Sequence, residues 1–173
     1  MKNLILVMNM QHGYFDPQGT SYLGGQALTV AKRIFVFLSS LDRKCSHVLL
    51  TRDLRSVEDS FFAGQRSINY VGTKDVEILP GFQDLADGVV NTCRPSALSG
   101  SVLLAEMKKL DIGKVVLVGA ETQSSLCFTA ADLRFRGYQV TVPEPLAVSR
   151  DAYLHNFAIT LLTSELGVDV TGN

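Results

Sequence analysis

A serine lies where this sequence would be expected to present a nucleophile. Ser125 stands in the polar turn after the apolar run 115–118, just as a helical pattern begins. A buried strand, a turn and a helix start form the arrangement in which α/β enzymes present a catalytic side chain. A serine hydroxyl, however, is a weak nucleophile unless an adjacent base takes its proton. The segment therefore predicts the backbone arrangement of a catalytic site whose serine would need an adjacent base to act as a nucleophile.

Two other polar residues follow apolar runs in the same way. Asn9 comes after the run 4–8, and Thr92 comes after the middle one of the predicted strands. Ligands in open α/β sheets bind beyond the carboxyl ends of the strands, so we expect Asn9, Thr92 and Ser125 to meet there. Arg94, two residues after Thr92, would face the same way in an extended segment and is a candidate for a positive charge in the site.

The elements that position these residues are predicted from hydrophobic patterning. Continuous apolar runs are typical of parallel strands covered on both faces, and they comprise residues 4–8, 47–50, 88–90, 115–118, 140–142 and 168–170. Helical spacing of apolar residues predicts helices over residues 26–41, 101–110, 123–136 and 152–165. This alternation predicts a three-layer α/β/α sandwich with a doubly wound, mostly parallel sheet. Residues 55–80 are expected to be loops with short helical pieces, and no linker divides residues 1–173, which we expect to form one domain.

Composition excludes several classes of protein. The 173 residues carry a net charge of −1 with Lys and Arg dispersed, which gives no electrostatic basis for binding nucleic acid or an anionic membrane. No apolar run approaches the roughly 20 residues of a membrane span. The cysteines, Cys45, Cys93 and Cys127, show no paired spacing and predict reduced thiols in a cytoplasmic protein.

Several segments, taken in order, resemble one family of enzymes. They lie in residues 4–11, 51–53, 72–80, 96–100, 119–132 and 137–140. Together they resemble the isochorismatase-like cysteine hydrolases, which include nicotinamidases and carbamoylsarcosine amidases. The resemblance runs nearly end to end and implies that family's Rossmann-like α/β/α fold.

The resemblance also implies which positions should carry the chemistry. The family uses a general-base Asp, a Lys and a nucleophilic Cys, and these positions fall on Asn9, Thr92 and Ser125. Asn9 cannot accept a proton at a useful pH, and Thr92 carries no charge. Loss of general-base catalysis alone typically costs ~10²- to 10⁴-fold in rate. We therefore expect a catalytically impaired family member that binds a small carbonyl or carboxylate compound or serves as a non-catalytic subunit.

Two further features follow from the same resemblance. The family has a cis peptide before its nucleophile, which by position joins Ala120 to Glu121, with the backbone N–H groups of Glu121 and Ser125 as anion donors. An anion-binding pocket at this helix start is therefore expected to survive the side-chain substitutions. Nicotinamidases bind a metal through Asp-x-His, but here the motif reads Asp53-Leu54-Arg55. His12, His47 and His155 also lack ligand spacing, so neither a metal nor another cofactor is predicted.

Two alternatives stay open at the level of sequence. The chain could be an active amide or vinyl-ether hydrolase that uses Ser125 with His12, Asp53 or Arg94 as rearranged partners. For Asp53, contact with a ligand and anchoring of a loop are equally open. The chain could instead be an assembly protein with a vestigial pocket, since broad apolar faces on residues 26–41 and 153–162 suggest burial between chains in a homo-oligomer. Packing of these helices on a sheet within one chain explains the same faces equally well.

Overall fold

A computed structural model of the chain describes residues 2–64 and 68–172. Seven strands form one sheet. They are β1 (Lys2–Met8), β2 (Ser46–Asp53), β3 (Gly88–Thr92), β4 (Ile112–Ala120), β5 (Gln139–Pro143), β6 (Ala147–Val148) and β7 (Asp169–Thr171). The strand order is β3-β2-β1-β4-β5-β7, and β6 pairs with the end of β4. Every strand pairing in the described residues is parallel.

Helices cover both faces of the sheet. They are α1 (His12–Phe15), α2 (Gly25–Ser39), α3 (Leu103–Lys109), α4 (Cys127–Phe135) and α5 (Ala152–Ser164). One buried cluster lies between the sheet and α3, α4 and α5, and a second lies between the sheet and α1 and α2. The predicted three-layer α/β/α sandwich with a parallel sheet is therefore confirmed. Within residues 2–64 and 68–172, no helix has both the length and the apolar content that crossing a bilayer requires.

Most of the predicted elements occur, with shifted ends. The strand predicted at residues 47–50 extends over all of β2, because its polar final residues still pair with β3. The two-residue β6 and the one-turn α1 were missed, since both are too short to show a hydrophobic period. Residues 55–80 contain two short 3₁₀ turns, Ser60–Phe62 and Lys74–Val76, and residues 65–67 lie outside the described part.

Two features of the elements around the site were not predicted. The strand before Thr92, β3, is the third in sequence and lies at one edge of the sheet, with β2 between it and β1. The helix predicted from residue 123 begins instead as a π-helical turn, Thr122–Leu126, and becomes α-helical at Cys127. Ser125 therefore lies in this wider turn, before the regular helix begins.

The central strands approach each other closely at the edge where the site lies. Gly119 in β4 has φ of 111°, and a Cβ there would lie 2.2 Å from the carbonyl oxygen of Met8 in β1. Only glycine fits this contact. The main chains that lead to Asn9 and to the Ser125 turn are thus held side by side.

Candidate functional site

Asn9 and Ser125 meet at the carboxyl ends of β1 and β4. The Asn9 side chain donates from Nδ2 to Ser125 Oγ over 3.1 Å. Its Oδ1 accepts a hydrogen bond from the buried Thr51 hydroxyl at 2.8 Å, and its backbone N–H donates to the same hydroxyl. Asn9 is 1% exposed and has φ of 54°, a left-handed conformation that Asn tolerates better than most residues. The amide is therefore fixed on both sides, and it directs a donor, not a base, at the serine oxygen.

Thr92 does not join this pair by any hydrogen bond of the described structure. It is the last residue of β3, is 5% exposed and donates from its hydroxyl to the Arg52 carbonyl at 3.4 Å. Strands in a sheet lie about 4.8 Å apart, so Thr92 on the second strand from β1 lies about 10 Å from Asn9 across the sheet. It contributes a buried hydroxyl and no charge.

Arg94 lies in a groove that Ser125 does not line. Its guanidinium forms a two-pronged ion pair with Asp59, at 2.6 and 3.4 Å, and lies 4.9 Å from the centre of the Phe61 ring. This hydrogen-bonded pairing lowers the pKa of Asp59 and raises that of Arg94. The positive charge expected at the site is thus compensated elsewhere.

Asp53 is the centre of a buried network at the end of β2. Its Oδ2 accepts hydrogen bonds from Tyr14 Oη, Arg55 Nε and Asn69 Nδ2 at 3.1, 2.9 and 3.0 Å. The Gln11 amide brackets the Asp53 backbone, accepting from its N–H at 2.8 Å and donating to its carbonyl at 3.0 Å. With three donors on one oxygen, Asp53 anchors the loops around the site.

Arg55 is the positive charge that satisfies this carboxylate. The side chains of Arg55 and Asp53 are only 15% and 7% exposed, and the guanidinium lies 4.3 Å from the centre of the Phe62 ring. Burial alone would lower the pKa of Arg55, but the Asp53 carboxylate and the Tyr14 hydroxyl outweigh it and raise that pKa. Burial, and then the Asp53 charge, raise the pKa of Tyr14 well above its ordinary value. The arginine and the tyrosine are therefore cationic and neutral, respectively, at any physiological pH.

The same network does not fit a divalent metal. A metal on Asp53 would have to displace the Arg55 guanidinium, and Arg55 and Asn69 supply N–H donors where a metal needs lone pairs. In the part of the chain that the structure describes, no group of three or more His, Cys, Asp and Glu side chains is arranged to hold a metal ion.

His12 and Ala120 also lie close to the ends of the central strands. The His12 imidazole bonds through Nδ1 to Asp16, just past the end of α1, at 3.0 Å, and its backbone N–H donates to the Glu77 carbonyl at 2.9 Å. Ala120 is fully buried, and its peptide bond to Glu121 is cis, as the resemblance implies. The structure therefore pairs the imidazole with Asp16 and places the cis bond at the start of the nucleophile turn.

A cleft opens beside the Ser125 turn. Its volume is about 420 Å³, and it is lined by Ser21, Arg55, Ile68, Glu121, Gln123, Ser124, Arg150, Asp151 and Leu154. Burial raises the pKa of the Glu121 carboxyl, and the nearby Arg150 charge offsets part of this rise. Gln123 Nε2 donates to Glu121 Oε1 at 3.3 Å. The cleft thus holds charges of both signs beside the nucleophile turn, which lines it through Glu121, Gln123 and Ser124.

The family to which this fold and site belong is shown by sequence comparison. The isochorismatase domain family model matches residues 3–172. The chain belongs to the isochorismatase domain family. The resemblance stated from the sequence motifs is therefore confirmed. No curated protein is significantly similar to the chain in sequence.

Solved structures show how widely this isochorismatase-domain fold is shared. A nicotinamidase/pyrazinamidase from Bacillus subtilis aligns with a TM-score of 0.90 and 19% identity, over 99% of this chain and 100% of that one. An N-carbamoylsarcosine amidase from Thermoplasma acidophilum aligns with a TM-score of 0.81 and 20% identity, over 99% and 96%. A pyrazinamidase of Pyrococcus horikoshii in complex with zinc aligns with a TM-score of 0.88 and 16% identity, over 100% of both chains. At these identities the likeness shows a common fold.

Sequence reasoning missed several polar residues of this isochorismatase-domain site. Thr51 lies inside an apolar strand and Tyr14 inside the unpredicted α1, so neither showed a polar pattern of its own. Arg150 follows the unpredicted β6, and its place at the cleft depends on that strand. A signal was available for Gln123, which lies in the nucleophile turn two residues before Ser125.

Proposed function

We propose that this family member binds a small carbonyl or carboxylate compound beside Ser125 and has lost efficient turnover, as a pseudoenzyme would. The observation that carries the proposal is the hydrogen bond from Asn9 Nδ2 to Ser125 Oγ. A nucleophilic hydroxyl must pass its proton to a base as it attacks, and an amide nitrogen already bearing two protons cannot receive it. Asn9 thus stabilises the serine without activating it.

The partners of the other candidate residues support loss of turnover over a rearranged hydrolase. His12 is paired with Asp16, Asp53 with Arg55, and Arg94 with Asp59. Asp53 and Arg94 would have to give up these ion pairs before either could act on Ser125, and among the described residues no hydrogen bond joins the His12 imidazole to Ser125. The anion donors proposed at the backbone N–H groups of Glu121 and Ser125 depend on the main chain, so ligand binding there does not need the lost side chains.

Activity measurements test this proposal directly. The wild-type protein and an Asn9→Asp, Thr92→Lys, Ser125→Cys triple variant would be incubated with simple amides, nicotinamide and isochorismate. We expect no turnover by the wild type beyond the uncatalysed rate, and measurable hydrolysis by the triple variant if the cleft is intact. An Asn3→Asp variant, at an exposed position of β1, is the matched control. Turnover by the wild type at ordinary enzymatic rates would end the proposal.

Binding is tested separately by thermal denaturation with the same compounds. A ligand that binds only the native state raises the melting temperature by mass action. We expect at least one carbonyl or carboxylate compound to do so in the wild type. If none raises the melting temperature at millimolar concentration, the cleft is not a binding site for this class.

A second candidate function is assembly. It is favoured by exposed aromatic side chains on α4 and α5, which cover the same face of the sheet. Phe128 and Phe135 on α4 are 54% and 77% exposed, and Tyr153 and Phe157 on α5 are 77% and 59% exposed. Arg136, just past the end of α4, pairs with Asp132 at 3.0 Å, so its charge is balanced within the chain. An apolar face with internally balanced charge does not repel an identical face, so we propose a second copy of this chain as its occupant.

The oligomeric state in solution tests the assembly proposal. Sedimentation or light scattering over a range of concentrations should give a homo-oligomer for the wild type and a monomer for Phe135→Glu with Phe157→Glu. Val57→Glu, at an exposed apolar residue outside these helices, is the control. A wild type that stays monomeric at every concentration would refute the assignment.

We also propose that residues 1–173 form one domain that works in the cytoplasm. Support for the compartment comes from the cysteines, since Cys45, Cys93 and Cys127 are all free. Support for one domain comes from the family match over residues 3–172. Limited proteolysis of the native protein, followed by thiol counting, tests both.

A further inference from the structure

The cleft beside Ser125 offers an unpaired cation at its wall. Arg150 donates from Nη2 to the Ser21 carbonyl at 3.2 Å, and among residues 2–64 and 68–172 no carboxylate lies within ion-pair distance of its guanidinium. This differs from Arg55, the other arginine of the cleft, whose charge is taken by Asp53. A guanidinium has five N–H donors in a planar fork that matches a carboxylate. Arg150 is thus the group best suited to bind one.

The same cleft offers acceptors for N–H groups. The partly buried Glu121 carboxyl lines it and accepts one hydrogen bond from Gln123 Nε2 at 3.3 Å. That bond fixes the Gln123 amide so that its Oε1, which is buried, has no hydrogen-bond partner in the described structure. A buried acceptor without a partner costs about 1–3 kcal/mol, which a donor from a ligand would recover. Asp151, the other carboxylate of the cleft, instead caps α5 by accepting from the Leu154 N–H at 3.1 Å.

The cation and the hydrogen-bond acceptors of the cleft together restrict the ligands that fit. A compound with a carboxylate alone would meet Arg150 but place negative charge near Glu121. A compound with an amide alone would satisfy Glu121 and Gln123 but leave the Arg150 fork without its anion. Specificity of this kind comes from both attraction and repulsion.

We infer that the cleft is specific for a small compound carrying both a carboxylate and, a few ångströms away, an amide or ammonium N–H, as in an amino acid or its N-acyl derivative. Arg150 binds the carboxylate, and Glu121 with Gln123 Oε1 accepts the N–H. This inference rests on the proposed function, because it names the ligand class of the same cleft.

A matched ligand series tests the inference on the wild-type protein alone. Calorimetric titration would compare N-acetylglycine, which has both groups, with its methyl ester, which lacks the carboxylate, and with butyrate, which lacks the N–H. Glycine against N-acetylglycine separates an ammonium from an amide as the donor. We expect N-acetylglycine or glycine to bind at least tenfold more tightly than both the ester and butyrate.

Variants then assign each preference to its residue. Arg150→Gln should remove the preference for N-acetylglycine over its ester, and Gln123→Leu should remove the preference over butyrate. Arg33→Gln, an exposed arginine of α2, is the control and should change neither ratio. Because the ratios in the wild type need no substitution, a variant that fails to fold leaves the test intact.

The outcomes separate the inference from the proposed function. If the ester or butyrate binds as tightly as N-acetylglycine and glycine, the inference is wrong while small-ligand binding stands. If none of this series binds but nicotinamide or isochorismate does, the inference is again wrong. If no compound of either set binds, the proposed function fails with it.

Discussion

Replacing Asn9 with Asp should make the stability of this protein depend on pH. The change is nearly isosteric, and Asp tolerates the left-handed backbone at this position as Asn does. The carboxylate would keep the hydrogen bond from the Thr51 hydroxyl, and Ser125 could rotate its own hydroxyl to donate to it. The cost is therefore confined to burying a negative charge at a side chain that is 1% exposed.

The size of this cost follows from two opposing effects. Full burial can raise the pKa of a carboxyl by 3–5 units, and two hydrogen bonds to the charged form recover part of this rise. A net rise of about 1.5 units corresponds to about 2 kcal/mol of unfolding free energy. Since the folded state holds the proton more tightly, the penalty is absent below the unfolded pKa of about 4 and complete above the raised folded pKa.

Urea denaturation at pH 4 and pH 8 measures the difference. We expect Asn9→Asp to lose less than about 0.5 kcal/mol relative to the wild type at pH 4 and about 2 kcal/mol at pH 8. Adding Thr92→Lys should regain about 1 kcal/mol at pH 8 only, because the new cation attracts the carboxylate across two strands. Asn3→Asp controls for the added charge on β1. A loss of equal size at both pH values would show that the amide acts through its geometry and not through its neutrality.

Four further outcomes are expected. Arg55→Met should destabilise by about 3 kcal/mol in urea, because it leaves a buried carboxylate without its cation, and a loss below 1 kcal/mol would contradict that role. Gly119→Ala should cost about 3 kcal/mol or prevent folding, since its Cβ would overlap β1, and near-wild-type stability would disprove the close approach. Alkylation followed by mass spectrometry should modify exposed Cys45 well before Cys127, whose pKa is raised by burial, and equal rates would contradict that burial. Burial raises the pKa of Glu121, so ionisation of this carboxyl at high pH destabilises the folded state. In urea denaturation, Glu121→Gln should therefore be more stable than the wild type at pH 8 but not at pH 4. A variant less stable than the wild type at pH 8 would refute this.

The sequence contained enough to predict the layers and the edge at which the site forms. Continuous apolar runs and helical stripes depend on burial alone, so β1, β4 and α5 could be placed from their own residues. The position of β3 could not, because strand order is decided by contacts between distant segments. β6 was missed because a strand of two residues is too short to show a hydrophobic pattern. Without β6, the position of Arg150 at the cleft could not be predicted.

The partners of the candidate site residues were the least predictable feature. Sequence reasoning left Asp53 open between ligand contact and loop anchoring, and the structure gives it three donors, two of them from loops without a regular pattern. Arg94 was expected near Thr92 by alternation along an extended segment. Its direction is decided instead by Asp59, 35 residues earlier in the chain. Such choices between competing ion pairs depend on tertiary geometry that no local pattern encodes.

The cation next to Asp53 at the end of β2 is the guanidinium of Arg55, which lies between the Phe62 ring and the Asp53 carboxylate. The charge is therefore part of the polypeptide itself. A dissociable ion must be acquired after folding and can be withdrawn by a chelator or replaced by a competitor. A covalently attached charge cannot be scavenged, exchanged or titrated away. Whatever compound the cleft receives, the electrostatic setting at the end of β2 is the same in every molecule from the moment the chain folds.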